Sequence, residues 1–467
     1  MRLSRYIILV LIFTFLGCNS CTCSEVSRQS YQQSILDFDS VPGLPMKHNH
    51  WKTVKFSDYV CGNATLDSKT VLLIDNDYTV DQLSLPIDVE LHFCGGGLKG
   101  DIAFNNTYLS GEVKLHGSNI YGSIENDVFE AGWLCYGDAK MDDAKNINQI
   151  LGVCNKLHFN KGTYLLSSYH TVAETIPAHL QHVVNSHIGI FRDNVSLFGE
   201  NGASFLIKDI GVAICAYSKP NDIKHSTRNI HIDGLAFRVE NDERSFNEFI
   251  HTIKLVGVNG LTITNCHFFD FWGDAICLSH YHDGPETGER TLNRHVKILN
   301  NYIDGGNHNN RNGVSIISGL DVLVEGNTIL ETSKGNMPGA IDVEANNTAY
   351  TIERIVIRKN TISKCKGGVG AICVVSNAQE APARRIVIDG NTISSSSKGI
   401  CLLIDSQNAT ENIKVLNNVF KNCSSPLIFR GKGKSRNWVI KGNKLNVMFK
   451  PKVGGDIQLS NLKTDIL

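Results

Sequence analysis

Two acidic residues of this chain have the spacing of a catalytic pair. Asp342 and Glu344 lie two positions apart in the strand-like segment AIDVE. Side chains at i and i+2 of a strand emerge on one face, here roughly 7 Å apart at Cβ. An inverting glycosidase holds water between two carboxyls about 6.5–9.5 Å apart, so we predict one proton donor and one base. Solvated surface acids, or ligands of a structural cation, are the alternative interpretation.

Further polar residues are candidates to complete this site. The other catalytic candidates are Lys254, Arg311 and His280. The polar segment from 280 to 295 is much longer than the turns elsewhere, which is typical of one wall of a binding cleft. The substrate-binding candidates are Asp274, Tyr281, His282, Asp283, Arg290 and Arg294. Among them, the two arginines are suited to bind a carboxylate or sulfate, and the tyrosine to stack on a sugar ring.

A repeat along the second half of the chain must position these residues. The pattern is apolar, any, apolar, two polar or small residues, Asn, any, apolar, and its copies are 25 to 33 residues apart. The repeated asparagines are Asn301, Asn327, Asn360, Asn391, Asn418 and Asn443. Asn tolerates left-handed backbone geometry and its amide can bond to stacked neighbours. We therefore interpret this ladder as structural.

A second short apolar segment lies between successive copies: AICLS at 275, GVSII at 313, AIDVE at 340, AICVV at 371 and GICLL at 399. Units of two or three short strands with glycine or small-residue turns predict the coils of a right-handed parallel β-helix, an all-β solenoid. A leucine-rich repeat would need a helix-length segment between the strands, and a β-propeller needs blades of about 40 residues.

Aligning the second segments predicts which side chains form columns. The inward column is Ile276, Val314, Ile341, Ile372 and Ile400. The outward column is Lys254, Cys277, Ser315, Asp342, Cys373 and Cys401. Stacked neighbours are about 4.7–4.9 Å apart, so the last two cysteines either form a disulfide or remain stacked thiols. Within the outward column, the acidic pair is the exceptional feature.

The repeat resembles the pectate-lyase-like superfamily of β-helix proteins, which includes polysaccharide lyases, glycoside hydrolases and phage tailspikes. The segment GAIDVE at 339–344 is similar to the "GIDIE" segment of such proteins, and RNGVSI at 311–316 to their "RxGIS" segment. This resemblance covers about residues 134–450. It implies that Arg311, Asp342 and Glu344 share one groove.

The start of the predicted solenoid resembles the same superfamily. After Gly137-Asp138, an amphipathic stretch begins at Asp142 or Asp143, a predicted N-cap, and is followed by LHFNKGTY at 157–164. The resemblance implies a short helix that caps the open end of the coils. Upstream, residues 24–133 are interpreted as an N-terminal strand layer stacked on the coils, with a separate small domain as the alternative. Residues 451–467 are interpreted as a C-terminal tail.

Residues 1–17 have the features of an export signal. Arg2 and Arg5 precede an apolar run at 6–16 that is too short to span a membrane. The segment FLGC at 15–18 resembles the bacterial lipoprotein box, which implies that Cys18 is lipidated. The alternative is an ordinary signal peptide that is cut a few residues later. We expect an exported protein, either anchored in the cell envelope or extracellular.

Composition excludes several classes of protein. The chain has 467 residues with 45 Lys and Arg against 46 Asp and Glu, so the basic excess of a generic nucleic-acid binder is missing. A hydrophobic share of 42% with almost no net charge also excludes disorder. Among 14 cysteines, no pair of CxxC motifs occurs at zinc spacing in the part that is expected to fold.

Three functions fit these observations. The first is hydrolysis of a polysaccharide with Asp342 and Glu344 as acid and base. The second is a polysaccharide lyase acting on a uronate by β-elimination, with Lys254, Arg311 or a loop histidine as base. Either an arginine or a bound Ca²⁺ would then neutralise the uronate carboxylate, and Asp342 and Glu344 would be metal or substrate ligands. The third is non-catalytic glycan binding. The expected partner is a polysaccharide and not a nucleic acid, the membrane is contacted only through the lipid anchor, and the oligomeric state is left open.

Overall fold

A computed structural model describes most of the chain after residue 42. The described residues are 43–170, 185–208, 211–217, 226–240, 247–279, 292–306, 310–344, 350–377, 382–405 and 410–445, with the backbone of three further pieces at 452–453, 458–460 and 463–465. The predicted export signal therefore lies outside the described residues. No helix in these ranges is long and apolar enough to cross a membrane.

Three parallel sheets wind around one apolar interior and form a right-handed parallel β-helix, as predicted. Sheet 1 consists of Ser186–Ile190, Val212–Tyr217, Ile253–Val256, Ile276–Ser279, Val314–Ile316, Ile341–Glu344, Ile372–Ser376, Lys398–Ile404, Ser425–Arg430 and Lys452–Val453. Sheet 2 consists of Asp138–Asp142, Gly162–Leu166, Ala203–Ile207, Ala236–Val239, His267–Phe269, Tyr302–Asp304, Thr328–Leu330, Thr361–Ser363, Thr392–Ser394, Val419–Lys421 and Lys444–Leu445. Sheet 3 consists of Phe129–Glu130, Lys156–Phe159, Ser196–Gly199, Arg228–Asp233, Asn259–Thr264, Asn293–Leu299, Gly319–Glu325, Ile352–Arg358, Arg384–Asp389, Thr410–Glu411, Lys414–Leu416, Lys434–Arg436, Val439–Lys441, Gln458–Ser460 and Lys463–Asp465.

An N-terminal layer of parallel strands precedes the coils. Its strands are Lys52–Lys55, Thr70–Ile74, Tyr78–Ser84, Val89–Phe93, Leu98–Gly111 and Asn119–Ile124. A helix spans Phe56–Val60 and a short 3-10 helix spans Ala131–Trp133. This layer is therefore itself a stack of parallel strands. The predicted boundary at residue 134 stays a prediction.

The helix Ala144–Val153 lies at the start of the coils and buries Ile147, Ile150 and Leu151, as the sequence predicts. Its N-cap residue is Asp143, but the side chain makes no capping hydrogen bond. Instead its carboxylate accepts the backbone N–H groups of Tyr136 at 2.7 Å and Gly137 at 3.0 Å. The carboxylate thus ties the helix to the preceding turn.

The predicted inward column is confirmed. Each of the five isoleucine and valine side chains of this column is fully buried, and the pairing runs from Ile276 through Val314, Ile341 and Ile372 to Ile400. Burying one such side chain stabilises the fold by about 1.5–3 kcal/mol. Because the same position recurs in every coil, sheet 1 is fixed in register, and the residues on its other face are fixed with it.

The asparagine ladder is a continuous chain of buried hydrogen bonds. From Asn301 to Asn418, each Nδ2 donates to the Oδ1 of the asparagine one coil further on, at 2.9 Å, and the last acceptor is Asn443. The backbone N–H of each residue donates to the same oxygen at 2.9–3.0 Å. A main-chain carbonyl accepts the second amide hydrogen. These satisfied amides agree with a structural role for the ladder.

Candidate functional site

The pairing of sheet 1 brings the predicted outward column together. Lys254 pairs with Cys277, Cys277 with Ser315, and Ser315 with Asp342. The column continues through Cys373 to Cys401. Both of these cysteines are free thiols, as are all eleven cysteines of the described residues. The register is therefore as predicted.

This column is closed to solvent, unlike the open groove that the sequence led us to expect. Asp342 and Ser315 are 0% exposed, and Lys254 is 7% exposed. Glu344, two residues along the strand from Asp342, is half-buried. Alternation identifies the face on which a side chain lies, but it does not show what packs over that face. Within the acidic pair, Glu344 is consequently the member that water reaches.

Arg311 lies between two buried carboxylates. Its Nη1 donates to both oxygens of Asp274, at 3.1 and 3.3 Å, and to Ser315 Oγ at 3.1 Å. Its Nη2 donates to Asp342 Oδ2 at 3.4 Å. The Arg311 side chain is only 13% exposed. Burial lowers the pKa of Arg311, but the two aspartates outweigh it, so the pKa is raised and the group stays charged.

Asp274 holds Arg311 in place. Burial would raise the pKa of this carboxyl, but Arg311 and then His251 outweigh burial, and the net pKa is lowered. His251 Nδ1 lies 3.1 Å from Asp274 Oδ2 and 3.2 Å from the backbone nitrogen of Asp274. Burial lowers the pKa of His251, and the negative charge of Asp274 opposes that shift. Asp274 is thus an ionised anchor for the guanidinium.

Asn312 binds two of the residues that Arg311 also contacts, Ser315 and Asp342. Its Nδ2 donates to Ser315 Oγ at 2.8 Å and to Asp342 Oδ2 at 3.4 Å. Its Oδ1 accepts the backbone N–H of Gly339 at 3.3 Å, which ties this coil to the strand that carries Asp342. Sequence reasoning assigned no role to Asn312 or Ser315. The available signals were an amide next to Arg311 and a hydroxyl beside Asp342 in the column.

Asp342 carries the most perturbed carboxyl of the group. Its pKa is raised well above the usual range, first by burial and then by the negative charge of Glu344, while Arg311 opposes the rise. One oxygen, Oδ2, is held by Arg311 and Asn312. The other, Oδ1, is buried and has no hydrogen-bond partner among the described residues. When this carboxyl is protonated, its hydrogen therefore lies on Oδ1, because Oδ2 accepts the hydrogen bonds of Arg311 and Asn312.

Among the described residues, one group of side chains is of the types that bind metal ions and lies close together. Atoms of His251, Asp274 and Cys277 lie within 4.8 Å of one another. Sulfur and imidazole are not ligands for Ca²⁺, which takes six to eight oxygens. The Asp274 carboxylate is also already bound by Arg311, and burial raises the pKa of the Cys277 thiol, which disfavours the thiolate. This group of three side chains therefore does not fit Ca²⁺, and the Ca²⁺ considered for a lyase stays a prediction.

The remaining predicted residues lie elsewhere. Arg294 belongs to sheet 3, where it pairs with Asn259 and Leu320 and helps to lower the pKa of Asp321, so it is not part of the Asp342 cluster. The predicted positions outside the described residues are Cys18, His280, Tyr281, His282, Asp283 and Arg290. The structure therefore assembles Lys254, Asp274, Arg311, Asp342 and Glu344 on one face of sheet 1.

No protein-family model and no curated protein matches this chain. Among solved structures, it is similar to a surface adhesin of Streptococcus pneumoniae, with a TM-score of 0.41, 15% identity and coverage of 84% of this chain and 82% of the adhesin. It is also similar to the catalytic unit of an α-1,3-glucanase from Streptomyces thermodiastaticus (TM-score 0.44, 13% identity, coverage 91% and 72%). An alginate lyase bound to a trisaccharide gives a TM-score of 0.43, 12% identity and coverage of 92% and 98%. These neighbours are parallel β-helix proteins, and the likeness concerns the fold alone.

Proposed function

We propose that this protein hydrolyses glycosidic bonds of a polysaccharide, with Asp342 as proton donor and Glu344 as the base that activates water. The observation that carries the proposal is the buried Asp342 carboxyl, whose pKa is raised well above its usual range by burial and by Glu344. A carboxyl whose pKa is raised keeps its proton to higher pH than an ordinary aspartate, and can then protonate a leaving oxygen.

Different surroundings divide the roles of the two carboxyls. Asp342 is 0% exposed, whereas Glu344 is half-buried and can contact a water molecule. Strand geometry separates their Cβ atoms by roughly 7 Å, which leaves room for water and favours inversion at the anomeric carbon. Arg311 favours the charged form of Asp342, so it would stabilise the carboxylate that remains after proton donation.

The geometry sets one requirement for substrate binding. Asp342 Oδ2 is engaged by Arg311 and Asn312, so the proton must leave from Oδ1. That atom has almost no exposed surface. The proposal therefore requires that a bound sugar uncovers Oδ1 and approaches it from the Glu344 side of the strand.

The lyase alternative is less well supported. A lyase needs a cation that neutralises the substrate carboxylate, and Arg311 is already bound by the carboxylates of Asp274 and Asp342. Of the other candidate bases, Lys254 is buried beside Cys277, and His280 lies outside the described residues. Non-catalytic glycan binding remains the outcome expected if neither reaction is detected.

A polysaccharide screen tests the proposal. Wild-type protein is incubated with acidic and neutral polymers, and both new reducing ends and absorbance of an unsaturated product are followed. We expect reducing ends without the unsaturated chromophore, and losses of about 10²–10⁴-fold in Asp342→Asn and in Glu344→Gln. Thr361→Ala, an exposed change on sheet 2, is the matched control. The chromophore would show a lyase, and full activity in both variants would overturn the site.

We also propose that the protein is exported and lipidated at Cys18, and the lipidation rests on the FLGC segment alone. Metabolic labelling with a palmitate analogue should mark the wild type and not Cys18→Ala. Equal labelling of the two proteins would contradict lipidation at this position, and secretion of an unlabelled wild type would favour an ordinary signal peptide.

A further inference from the structure

The last described coils carry a strong positive charge. Residues 410–445 contain eight lysines and arginines and one acidic residue, a net charge of +7 from 8 minus 1. The whole chain has a net charge of −1, so the rest of the chain has −8. The near-neutral total thus conceals a basic stretch of the solenoid.

All eight cationic side chains of this stretch are exposed: Lys414, Lys421, Arg430, Lys432, Lys434, Arg436, Lys441 and Lys444. We call residues 410–445, which carry these eight cations, the basic coils. The one acid of the stretch, Glu411, binds Arg436 at 3.1 Å. In the preceding coil, the Asp405 carboxylate accepts the backbone N–H of Lys432 at 2.8 Å. The basic coils therefore present more positive charge than their own carboxylates can balance.

One cation of the basic coils, Arg430, lies in sheet 1, which carries the candidate site, and most of the others lie in sheets 2 and 3. Glu344 pairs with Val375, Val375 with Leu403, and Leu403 with Arg430. Arg430 is thus three strands from Glu344 in one column of sheet 1, about 14 Å along the solenoid axis. A polymer that lies along this column from Glu344 would reach the positive charge.

We infer that the basic coils bind a polyanionic glycan, a polysaccharide that carries carboxylate or sulfate groups. The large exposed hydrophobic side chains of the described residues all lie before residue 250, so the basic coils have none to insert into a membrane. Their aromatic residues Phe420, Phe429 and Trp438 are buried and cannot stack on nucleic-acid bases. The choice of a glycan also rests on the proposed function, but the binding does not require catalysis.

The test measures binding in the full-length protein. The variant K414Q/R430Q/K434Q/K444Q removes four cations of the basic coils, and K52Q/K55Q/K99Q/K114Q removes four exposed cations of the N-terminal layer as the matched control. Both are made in the Asp342→Asn background, so that cleavage cannot contribute. Probes are polygalacturonate for carboxylates, dextran sulfate for sulfates, and neutral dextran. Vesicles with 30% anionic phospholipid and a DNA duplex test other polyanions.

We expect salt-sensitive binding to polygalacturonate or dextran sulfate, no binding to neutral dextran, and about tenfold weaker binding in the basic-coil variant only. Undiminished binding in that variant, equal losses in both variants, or binding to vesicles or DNA but to neither acidic glycan would overturn the inference. Binding without cleavage in the polysaccharide screen would leave this inference standing and contradict the proposed function. Cleavage of a neutral polymer without polyanion binding would do the reverse.

Discussion

The ion pair between Arg311 and Asp274 is the contact on which the geometry of the site depends most. Arg311→Gln removes the cation and leaves Asp274 as an unpaired carboxylate with no exposed surface. Charges 3.1 Å apart attract by about 5 kcal/mol at an effective dielectric constant of about 20. Breaking a buried pair by removing one partner costs about 3–5 kcal/mol. We therefore expect this loss in the free energy of unfolding of Arg311→Gln.

A double-mutant cycle separates this pair from the rest of the cluster. Unfolding in urea is followed for the wild type, Arg311→Gln, Asp274→Asn and the double variant. Because the double variant buries no unpaired charge at this position, its loss should be smaller than the sum of the single losses by about 2–5 kcal/mol. The same cycle on Lys156 and Asp127, 2.7 Å apart but exposed, should give less than about 1 kcal/mol.

The state of Asp342 provides a second readout of the same cycle. Because Arg311 lowers the pKa of Asp342, its removal should move the titration of this carboxyl to higher pH, as followed by carboxyl-carbon NMR. Arg311→Lys keeps the charge and should move it less. Additive stability losses, or an unchanged titration in Arg311→Gln, would refute the claim that Asp274 holds a cation against Asp342.

Two further predictions concern stability. Asn360→Ala leaves the backbone and side-chain donors of Asn327 without their acceptor, so the free energy of unfolding should fall by about 2–6 kcal/mol. The exposed Thr361→Ala is the control and should lose less than about 0.5 kcal/mol. Equal losses in the two variants would contradict a structural ladder. Asp342 ionises near pH 3.9 when unfolded but at higher pH when folded, so the wild type should lose stability as pH rises between these values. Asp342→Asn lacks this loss, so its stability relative to the wild type should increase with pH above about pH 3.9, by at most about 1.4 kcal/mol per pH unit; a constant difference would mean that Asp342 is ionised in the folded protein.

Much of the fold could be predicted from the sequence because the repeat has a physical cause. The inward isoleucines recur at one position per coil, and the asparagines at one corner, so alternation and spacing suffice to predict the register of sheet 1. That register in turn places Lys254, Ser315 and Asp342 in one column.

The features of the site that the sequence did not predict depend on contacts that periodicity does not encode. Alternation shows which face carries Asp342, but the burial of that face arises from what packs over it. Arg294 was grouped with the site because it lies in the predicted loop 280–295, but the strand Asn293–Leu299 of sheet 3 begins before that loop was expected to end. Asp143 has the position of an N-cap, but the nearby N–H groups of Tyr136 and Gly137 bind its carboxylate instead.

The pH dependence of cleavage tests the central claim most directly. It is measured on the polysaccharide that the screen identifies, for the wild type, Asp342→Asn and Glu344→Gln. An acid that must be protonated limits the rate at high pH, and a base that must be ionised limits it at low pH. We predict a bell-shaped pH profile for the wild type. The residual activity of Asp342→Asn should lack the alkaline limb of this profile, and that of Glu344→Gln should lack the acidic limb. Both limbs persisting unchanged in the two variants would contradict the assignment of Asp342 and Glu344 as acid and base.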